Sequence, residues 1–159
     1  MINIALNDEL CTLLNDQNID VKDYVPAYNG ESAGLDLYNA GEEYFIPPSR
    51  EELIKILIPT GLRVIIPRGY VGLIQERGSI CKTSLKVRAG VIDAGYTGEI
   101  FVNCINVSNR DIKLDKHCKL PFQLVVVKCD NDFNVITENE YLELTENAAR
   151  KSGKVGSSD

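Results

Sequence analysis

Short runs of apolar and β-branched residues, separated by turn-forming residues, dominate the chain from residue 53 onward. This pattern predicts many short strands and therefore an all-β domain, with a sandwich, a jelly roll or a small barrel as the candidate architectures. The runs are Leu53–Ile58, Arg63–Ile66, Val71–Ile74, Gly98–Val107, Asp111–Leu114 and Gln123–Lys128.

The first part of the chain has a different pattern. Ile2–Leu6 predicts a short strand, and the spacing of Leu10, Leu13 and Leu14 after Asn7-Asp8 predicts one or two turns of helix. Residues 49–52 (Ser-Arg-Glu-Glu) match a helix capping box. The residues that follow are β-branched and end at proline, so we expect a loop and then a strand there.

Composition narrows the class of protein. The chain has 159 residues, enough for one domain with a buried core, and a net charge of −6 argues against a nucleic-acid-binding face. It lacks an apolar run of about 20 residues, so no membrane contact is expected. The N-terminus has no signal-peptide pattern, and the five cysteines contain no C-x-x-C pair. With a single histidine, His117 beside Cys118, we expect buried thiols in a cytoplasmic protein rather than a zinc site.

The last ten residues, 150–159, are small, glycine-rich and basic. Such a segment cannot pack a core by itself, which predicts a disordered tail. The alternative is a phosphate-binding arm, because backbone N–H groups freed by glycine can form an anion nest and three cations lie beside them. Composition alone favours the tail.

Three internal segments carry candidate chemistry. Residues 32–37 (Ser-Ala-Gly-Leu-Asp-Leu) present one acid, and residues 76–79 (Glu-Arg-Gly-Ser) present an arginine whose planar fork suits phosphate oxygens. Residues 90–100 (Gly-Val-Ile-Asp-Ala-Gly-Tyr-Thr-Gly-Glu-Ile) predict a hairpin whose turn holds Asp93 and Tyr96. Each segment alone is also typical of an ordinary loop or turn.

Together and in this order, the segments closely resemble the five motifs of the trimeric dUTPase family. The resemblance spans roughly residues 24–159, and the third motif, Gly-x-Ile-Asp-x-x-Tyr-x-Gly, is the specific one. The five motifs correspond to residues 33–37, 77–79, 90–98, 123–126 and 150–158.

The chain departs from the family pattern at three places. Gly78 stands where the family usually has serine, Val155 stands where a phenylalanine usually covers the uracil, and residues 120–122 (Leu-Pro-Phe) replace the usual basic-Ile-Ala before the glutamine. Residues 1–23 have no clear counterpart beyond a first strand.

The resemblance implies a jelly-roll-like homotrimer that hydrolyses dUTP to dUMP and pyrophosphate with Mg²⁺. Residues 1–149 would form the β domain and residues 150–159 a mobile arm that reaches a neighbouring subunit's site. Asp93 would be the general base that activates water, and Asp36 would contact Mg²⁺ through a water molecule. The implied substrate-binding residues are Arg77, Gly78, Ser79, Gly90, Val91, Ile92, Tyr96, Gln123, Arg150, Gly153, Val155, Gly156 and Ser157.

Two alternatives stay open on the same fold. A dCTP deaminase, or a bifunctional deaminase-dUTPase, would use a glutamate on the strand after the third motif, where this chain has Asn103. A nucleotide-binding regulator without turnover is the other alternative, and Gly78 and Val155 are the departures that would suit it. Intact Asp36, Arg77 and Asp93 argue for an enzyme.

Overall fold

A computed structural model describes residues 2–20, 32–49, 56–130 and 133–146, and within these ranges the chain is mostly β-structure. The strands are β1 Asn3–Leu6, β2 Leu35–Tyr38, β3 Tyr44–Ile46, β4 Ile56–Pro59, β5 Leu62–Ile65, β6 Tyr70–Glu76, β7 Leu85–Val87, β8 Val91–Ile92, β9 Phe101–Asn106, β10 Ile112–Leu114 and β11 Lys119–Lys128. The helices are α1 Asp8–Asp16, a 3₁₀ helix Gly78–Lys82 and α2 Glu138–Thr145. None of the helices in these ranges is both long and apolar enough to cross a membrane.

The strands pair antiparallel in four small sheets. The largest has the order β2-β11-β6-β8, and a three-stranded sheet has the order β4-β9-β7. The remaining pairs are β1 with β5 and β3 with β10. Among the described strands, no two that are consecutive in the chain pair with each other, as in a jelly roll, and the all-β prediction is confirmed.

The core takes one face of each sheet. Along β5 and β9 the side chains alternate between buried and less buried positions, so each strand turns a single face inward. Phe122 on β11 is the largest of the fully buried side chains. Burial raises the pKa of the Cys104 thiol on β9 to about 12, so this cysteine behaves as a core residue.

Helix α1 closes one side of this core and confirms the prediction for residues 8–14. Asn7 caps it, with its side-chain oxygen accepting a hydrogen bond of 2.9 Å from the Leu10 N–H. Leu10, Leu13 and Leu14 are fully buried. Each of these leucines stabilises the fold by about 1.5–3 kcal/mol relative to an exposed side chain.

Two elements differ from the sequence prediction. The segment around Asp93 is not a hairpin: β8 pairs with β6, whereas β9 pairs with β4 and β7, so the turn connects two different sheets. Helix α2 was missed, although its signal was present, because Thr137 and Glu140 form a capping box. Ser49 lies in a non-helical segment, and the rest of the 49–52 motif lies outside the described residues.

Candidate functional site

The turn between β8 and β9 presents both a carboxylate and free backbone groups. Strand β8 is the edge strand of its sheet, with Ile92 opposite Gly72 and Val91 opposite Leu73 on β6. Within the described parts of the chain no strand pairs with the N–H and C=O groups that point away from β6, which leaves them available to a ligand. The backbone N–H of Tyr96 donates to the carbonyl of Asp93 at 3.0 Å, and this bond closes the turn and leaves the Asp93 side chain exposed.

The approach to β8 needs a glycine. Gly90 has φ +98°, and a Cβ there would lie 3.2 Å from the carbonyl oxygen of Ile74. Its own carbonyl accepts a hydrogen bond of 2.8 Å from the Ile74 N–H. Ala89 also has a positive φ of 58°, which is strained for a residue with a side chain. Two successive left-handed residues thus place β8 tightly against β6.

A cavity of about 270 Å³ opens beside this turn, and we call it the Asp93 pocket. Its lining includes Gly90–Asp93 with Tyr96, together with residues of strands β4 and β9. The Tyr96 hydroxyl donates to the carbonyl of Glu99 at 2.7 Å, and this bond orients the ring. A Cβ at Gly98 would lie 2.5 Å from that hydroxyl, so glycine is required for the ring to rest there. The full lining is Leu57, Ile74, Arg88, Ala89, Gly90, Val91, Ile92, Asp93, Tyr96, Glu99, Phe101 and Asn103.

A second group of polar side chains surrounds Asp36 on β2, and we call Asp36, Arg77, Lys119 and Gln123 the Asp36 cluster. The Arg77 Nε lies 2.5 Å from Asp36 Oδ1, and the Lys119 Nζ lies 2.7 Å from Asp36 Oδ2. The Arg77 Nη1 also donates to the carbonyl of Leu120 at 3.3 Å. The side chains of Asp36 and Arg77 are each 25% exposed and that of Lys119 is 44% exposed, so one partly shielded carboxylate holds two cations side by side.

Gln123 completes this cluster through strand pairing. It lies opposite Asp36 on β2 and opposite Gln75 on β6, because β11 runs between these two strands. Its Nε2 donates to the carbonyl of Glu76 at 3.3 Å. A Cβ on Gly34 would lie 2.7 Å from Gln123 Oε1, so a glycine at this position is needed to accommodate the Gln123 side chain.

Sequence reasoning missed Lys119. Lys119 lies opposite Tyr38 in the pairing of β11 with β2, and Asp36 is the next residue on the same face of β2, so the two charged side chains meet diagonally. The Lys119 ammonium group also lies 5.7 Å from the centre of the Tyr38 ring. The basic residue just before residues 120–122 was the only signal in the sequence.

The 3₁₀ helix after Arg77 carries the two other predicted residues of that motif. The Ser79 Oγ is buried and has no hydrogen-bond partner among the described residues. Nothing lies within 4 Å of a Cβ built on Gly78, so a serine would fit there. A buried hydroxyl without a partner costs stability, and a bound ligand atom would satisfy it.

The predicted site residues therefore fall into separate groups. Asp93, Tyr96 and Gly90–Ile92 line the Asp93 pocket, whereas Asp36, Arg77 and Gln123 lie together around β2 and β11, at the other end of the sheet that β8 ends. Among the described residues that line the pocket, no member of the Asp36 cluster is found. The remaining predicted residues, Arg150, Gly153, Val155, Gly156 and Ser157, lie outside the described residues.

The Asp36 carboxylate fits a magnesium ion only in an indirect role. Each of its oxygens already contacts a cation, but a carboxylate has about four acceptor positions, which leaves room for a metal-bound water. In the described part of the chain, no three His, Cys, Asp or Glu side chains are grouped to hold a metal. A carboxylate in this position would contact a divalent cation through one of the cation's water molecules.

Comparison with known proteins identifies the family. The deoxyuridine 5'-triphosphate nucleotidohydrolase of Dictyoglomus turgidum is 36% identical over 128 residues, covering 79% of this chain and 84% of that protein. The corresponding protein of Wolbachia sp. subsp. Brugia malayi is 35% identical over 132 residues, with 80% of each chain covered.

Solved structures agree with these relatives. The native EIAV dUTPase is 34% identical, with a TM-score of 0.58 over 69% of this chain and 87% of that chain. A dUTPase variant from phage phi11 of S. aureus is 23% identical and shares the fold, with a TM-score of 0.66 over 87% and 97% of the two chains. The dUTPase family model matches residues 21–159, close to the span of the five motifs, and the chain belongs to the dUTPase family.

Proposed function

We propose that this protein hydrolyses dUTP to dUMP and pyrophosphate. The observation that carries the proposal is the Asp93 pocket, where a free backbone edge, an oriented tyrosine and an exposed carboxylate converge.

Asp93 is the general base of the proposed reaction. Its carboxylate takes a proton from a water molecule as the water oxygen bonds to the α-phosphorus, and the bond from that phosphorus to the bridging oxygen breaks. Pyrophosphate leaves with the electron pair, and dUMP carries the new oxygen. The closed Asp93–Tyr96 turn supports this role because it holds the carboxylate at the pocket's edge.

The Asp36 cluster is the proposed phosphate site. Arg77 and Lys119 are held by Asp36 and can present their remaining N–H groups to phosphate oxygens, with Gln123 beside them and the Ser79 hydroxyl close in sequence. Gly78 contributes its backbone N–H. When bound, Mg²⁺ would neutralise phosphate charge, with Asp36 contacting it through a water molecule. The phage phi11 structure concerns the coordination of a structural Mg(II) ion in that protein.

Selectivity for the sugar and the base is assigned to the two sides of the pocket. The ring of Tyr96, fixed through its hydroxyl, would lie against the deoxyribose and leave no room for a 2′-hydroxyl. The free edge of Gly90–Ile92 would pair with the uracil edge. A site built to hydrogen-bond uracil rejects cytosine because buried partners would be left unpaired.

We propose that a complete site forms between copies of the chain in a homotrimer. The pocket and the Asp36 cluster are separate groups in one chain, and the pocket's walls expose large apolar side chains: Leu57 is 56% exposed, Val91 62% and Phe101 42%. A cyclic trimer would cover such surfaces and bring one copy's pocket to another copy's cluster. The arm 150–159, with Arg150, Gly153, Val155, Gly156 and Ser157, would then close over the nucleotide. The family match extends through this arm.

Mixed subunits test the shared site. Asp93→Asn and Arg77→Ala subunits should each be inactive, but co-refolded in equal amounts they should regain about a quarter of wild-type activity per subunit, because random pairing makes some sites intact. Light scattering should give three times the chain mass of 17.6 kDa. Activity that stays at the level of the single variants would place the whole site within one chain.

The activity itself is tested by pyrophosphate release from dUTP, dCTP, dTTP and UTP, each with and without Mg²⁺. We expect Mg²⁺-dependent release from dUTP alone. Formation of dUTP or dUMP from dCTP would support the deaminase alternative, and tight dUTP binding without release would support a regulator. A cytoplasmic location remains a prediction from the cysteine pattern.

A further inference from the structure

The main chain that holds the Tyr96 ring is itself bonded to the connection between β4 and β5. The Tyr96 hydroxyl donates to the carbonyl of Glu99 at 2.7 Å. In the same peptide group, the Ile100 N–H donates to the carbonyl of Leu62, the first residue of β5, at 2.8 Å. The peptide group between Glu99 and Ile100 therefore bonds the ring through its oxygen and the start of β5 through its nitrogen.

The Glu99 side chain makes a second bond to this connection. Its Oε1 accepts a hydrogen bond of 2.8 Å from the N–H of Gly61, the residue that precedes Leu62. A hydrogen bond from a backbone N–H to a carboxylate is charge-assisted and roughly twice as strong as one between neutral groups. Glu99 thus bonds the Tyr96 hydroxyl through its main-chain carbonyl and the β4–β5 turn, residues 60–61, through its carboxylate.

The β4–β5 turn is a rigid support for this contact. Gly61 has φ +68°, and its carbonyl accepts a hydrogen bond of 2.8 Å from the N–H of Asn7, the cap of α1. Thr60 is fully buried, and its hydroxyl donates to the carbonyl of Ile100 at 2.6 Å. The turn is therefore fixed between α1 and the residue before β9, and a carboxylate bonded to it is fixed as well.

We propose that Glu99 is a positioning residue for sugar selection, because it holds the Tyr96 ring in place through the β4–β5 turn. This inference rests on the proposed function, in which the ring leaves no room for a 2′-hydroxyl. Exclusion by contact requires a ring that cannot retreat, since a ring free to shift would make space for the extra oxygen. In this role the Glu99 carboxylate does not contact the nucleotide, and it acts only by fixing the carbonyl to which the Tyr96 hydroxyl is bonded.

Calorimetric titration with dUDP and with UDP, each with Mg²⁺, measures this role without requiring turnover. The readout is the sugar discrimination, which is the Kd for UDP divided by the Kd for dUDP. Glu99→Ala removes the carboxylate, and we expect the discrimination to fall about 5- to 10-fold, as for the loss of one hydrogen bond. Glu99→Gln keeps an oxygen that can accept from the Gly61 N–H, so its discrimination should stay within about 2-fold of the wild-type value. A fall in Glu99→Gln as large as that in Glu99→Ala would contradict the role of the acceptor.

A double-mutant cycle with Tyr96→Phe separates positioning from direct contact with the nucleotide. Tyr96→Phe removes the hydroxyl that the Glu99 carbonyl holds, so it should lower the discrimination by a similar factor. Because both changes break one connection, adding Glu99→Ala to Tyr96→Phe should lower the discrimination by no more than about 2-fold further. Full additivity would mean that the carboxylate acts independently of the ring, and it would overturn the inference.

The matched control is Glu140→Ala in α2. The Glu140 carboxylate also accepts from a backbone N–H, that of Thr137 at 2.7 Å, but Glu140 is not among the residues that line the Asp93 pocket. This variant should keep the wild-type discrimination. An equal fall in Glu140→Ala and Glu99→Ala, or a wild-type value in Glu99→Ala, would overturn the inference.

The wild-type protein distinguishes this inference from the proposed function. Equal Kd values for dUDP and UDP would overturn the assignment of Tyr96 to sugar selection and the role of Glu99 with it. Absence of dUTP turnover would instead overturn the proposed function, and this result is independent of the two Kd values.

Discussion

The Asp93 pocket and the Asp36 cluster are built in opposite ways. The pocket's ligand-facing groups come mainly from one continuous segment, residues 90–96, and much of its chemistry is backbone N–H and C=O. The Asp36 cluster consists of side chains from β2, β11 and the end of β6, joined by two ion pairs. The ligand-facing segment of the Asp93 pocket is therefore local in sequence, whereas the Asp36 cluster forms only when three strands are in register.

This difference fits the chemistry that each region is proposed to perform. A neutral base needs a fixed pattern of donors and acceptors, which a rigid backbone supplies without side-chain motion. A triphosphate needs concentrated positive charge, which the chain as a whole lacks at a net charge of −6. The Asp36 carboxylate pairs with both Arg77 and Lys119 and offsets the repulsion between these two cations. A single acid thus stabilises a local cationic site.

The largest effect is expected in the pocket, from Asp93→Asn. The asparagine keeps the shape of the side chain and its exposed position but cannot accept the proton, so kcat should fall about 10²- to 10⁴-fold. Calorimetric titration with a non-hydrolysable dUTP analogue should still show binding. A variant with wild-type kcat would remove Asp93 from the reaction.

Truncating the chain tests whether the Asp93 pocket and the Asp36 cluster support turnover without residues 150–159. Stopping the chain after Ala149 should lower kcat/KM by about 100-fold if residues 150–159 bind phosphates, because several cationic and backbone donors are lost together. The oligomeric mass and the melting temperature should stay close to those of the full chain. Unchanged kcat/KM would show that the segment is a tail without a role in turnover.

Gly34→Ala tests whether turnover depends on the position of the Gln123 side chain in the Asp36 cluster. The new methyl group would lie 2.7 Å from Gln123 Oε1 and 3.0 Å from Val125 Cγ2, so Gln123 must move. We expect kcat/KM to fall about 10-fold, since small displacements in a site are costly. The control is Gly95→Ala in the Asp93 turn, where nothing lies within 4 Å of an added Cβ. Equal activities in the two variants would contradict a positioned Gln123.

The smallest effect is expected from Val155→Phe. An aromatic ring stacks on a base with about 1–3 kcal/mol, more than a valine provides, so kcat/KM for dUTP should hold or rise several-fold if residue 155 covers the pocket. Steady-state kinetics with dUTP measures this directly. A large loss would mean that Val155 packs elsewhere and that the pocket is covered differently.

Local features of this protein were determined by its sequence. Three features could be predicted because each depends on residues within a few positions of one another. They are the many short strands, the start of α1 with its three leucines, and the residues of the third motif. Family membership followed from five short motifs in order and is confirmed by the family match. The capping box of α2 was equally local and could have been found.

Pairing partners were decided only by the tertiary structure. The apolar runs around Asp93 suggested a hairpin, but β8 pairs with β6 and β9 with β4 and β7, because which strand lies beside which depends on how the sheets pack. The same holds for Lys119, which meets Asp36 because β11 pairs with β2 so that Lys119 lies opposite Tyr38. A one-residue slip reverses the faces of a strand, and long-range register therefore determines which side chains meet.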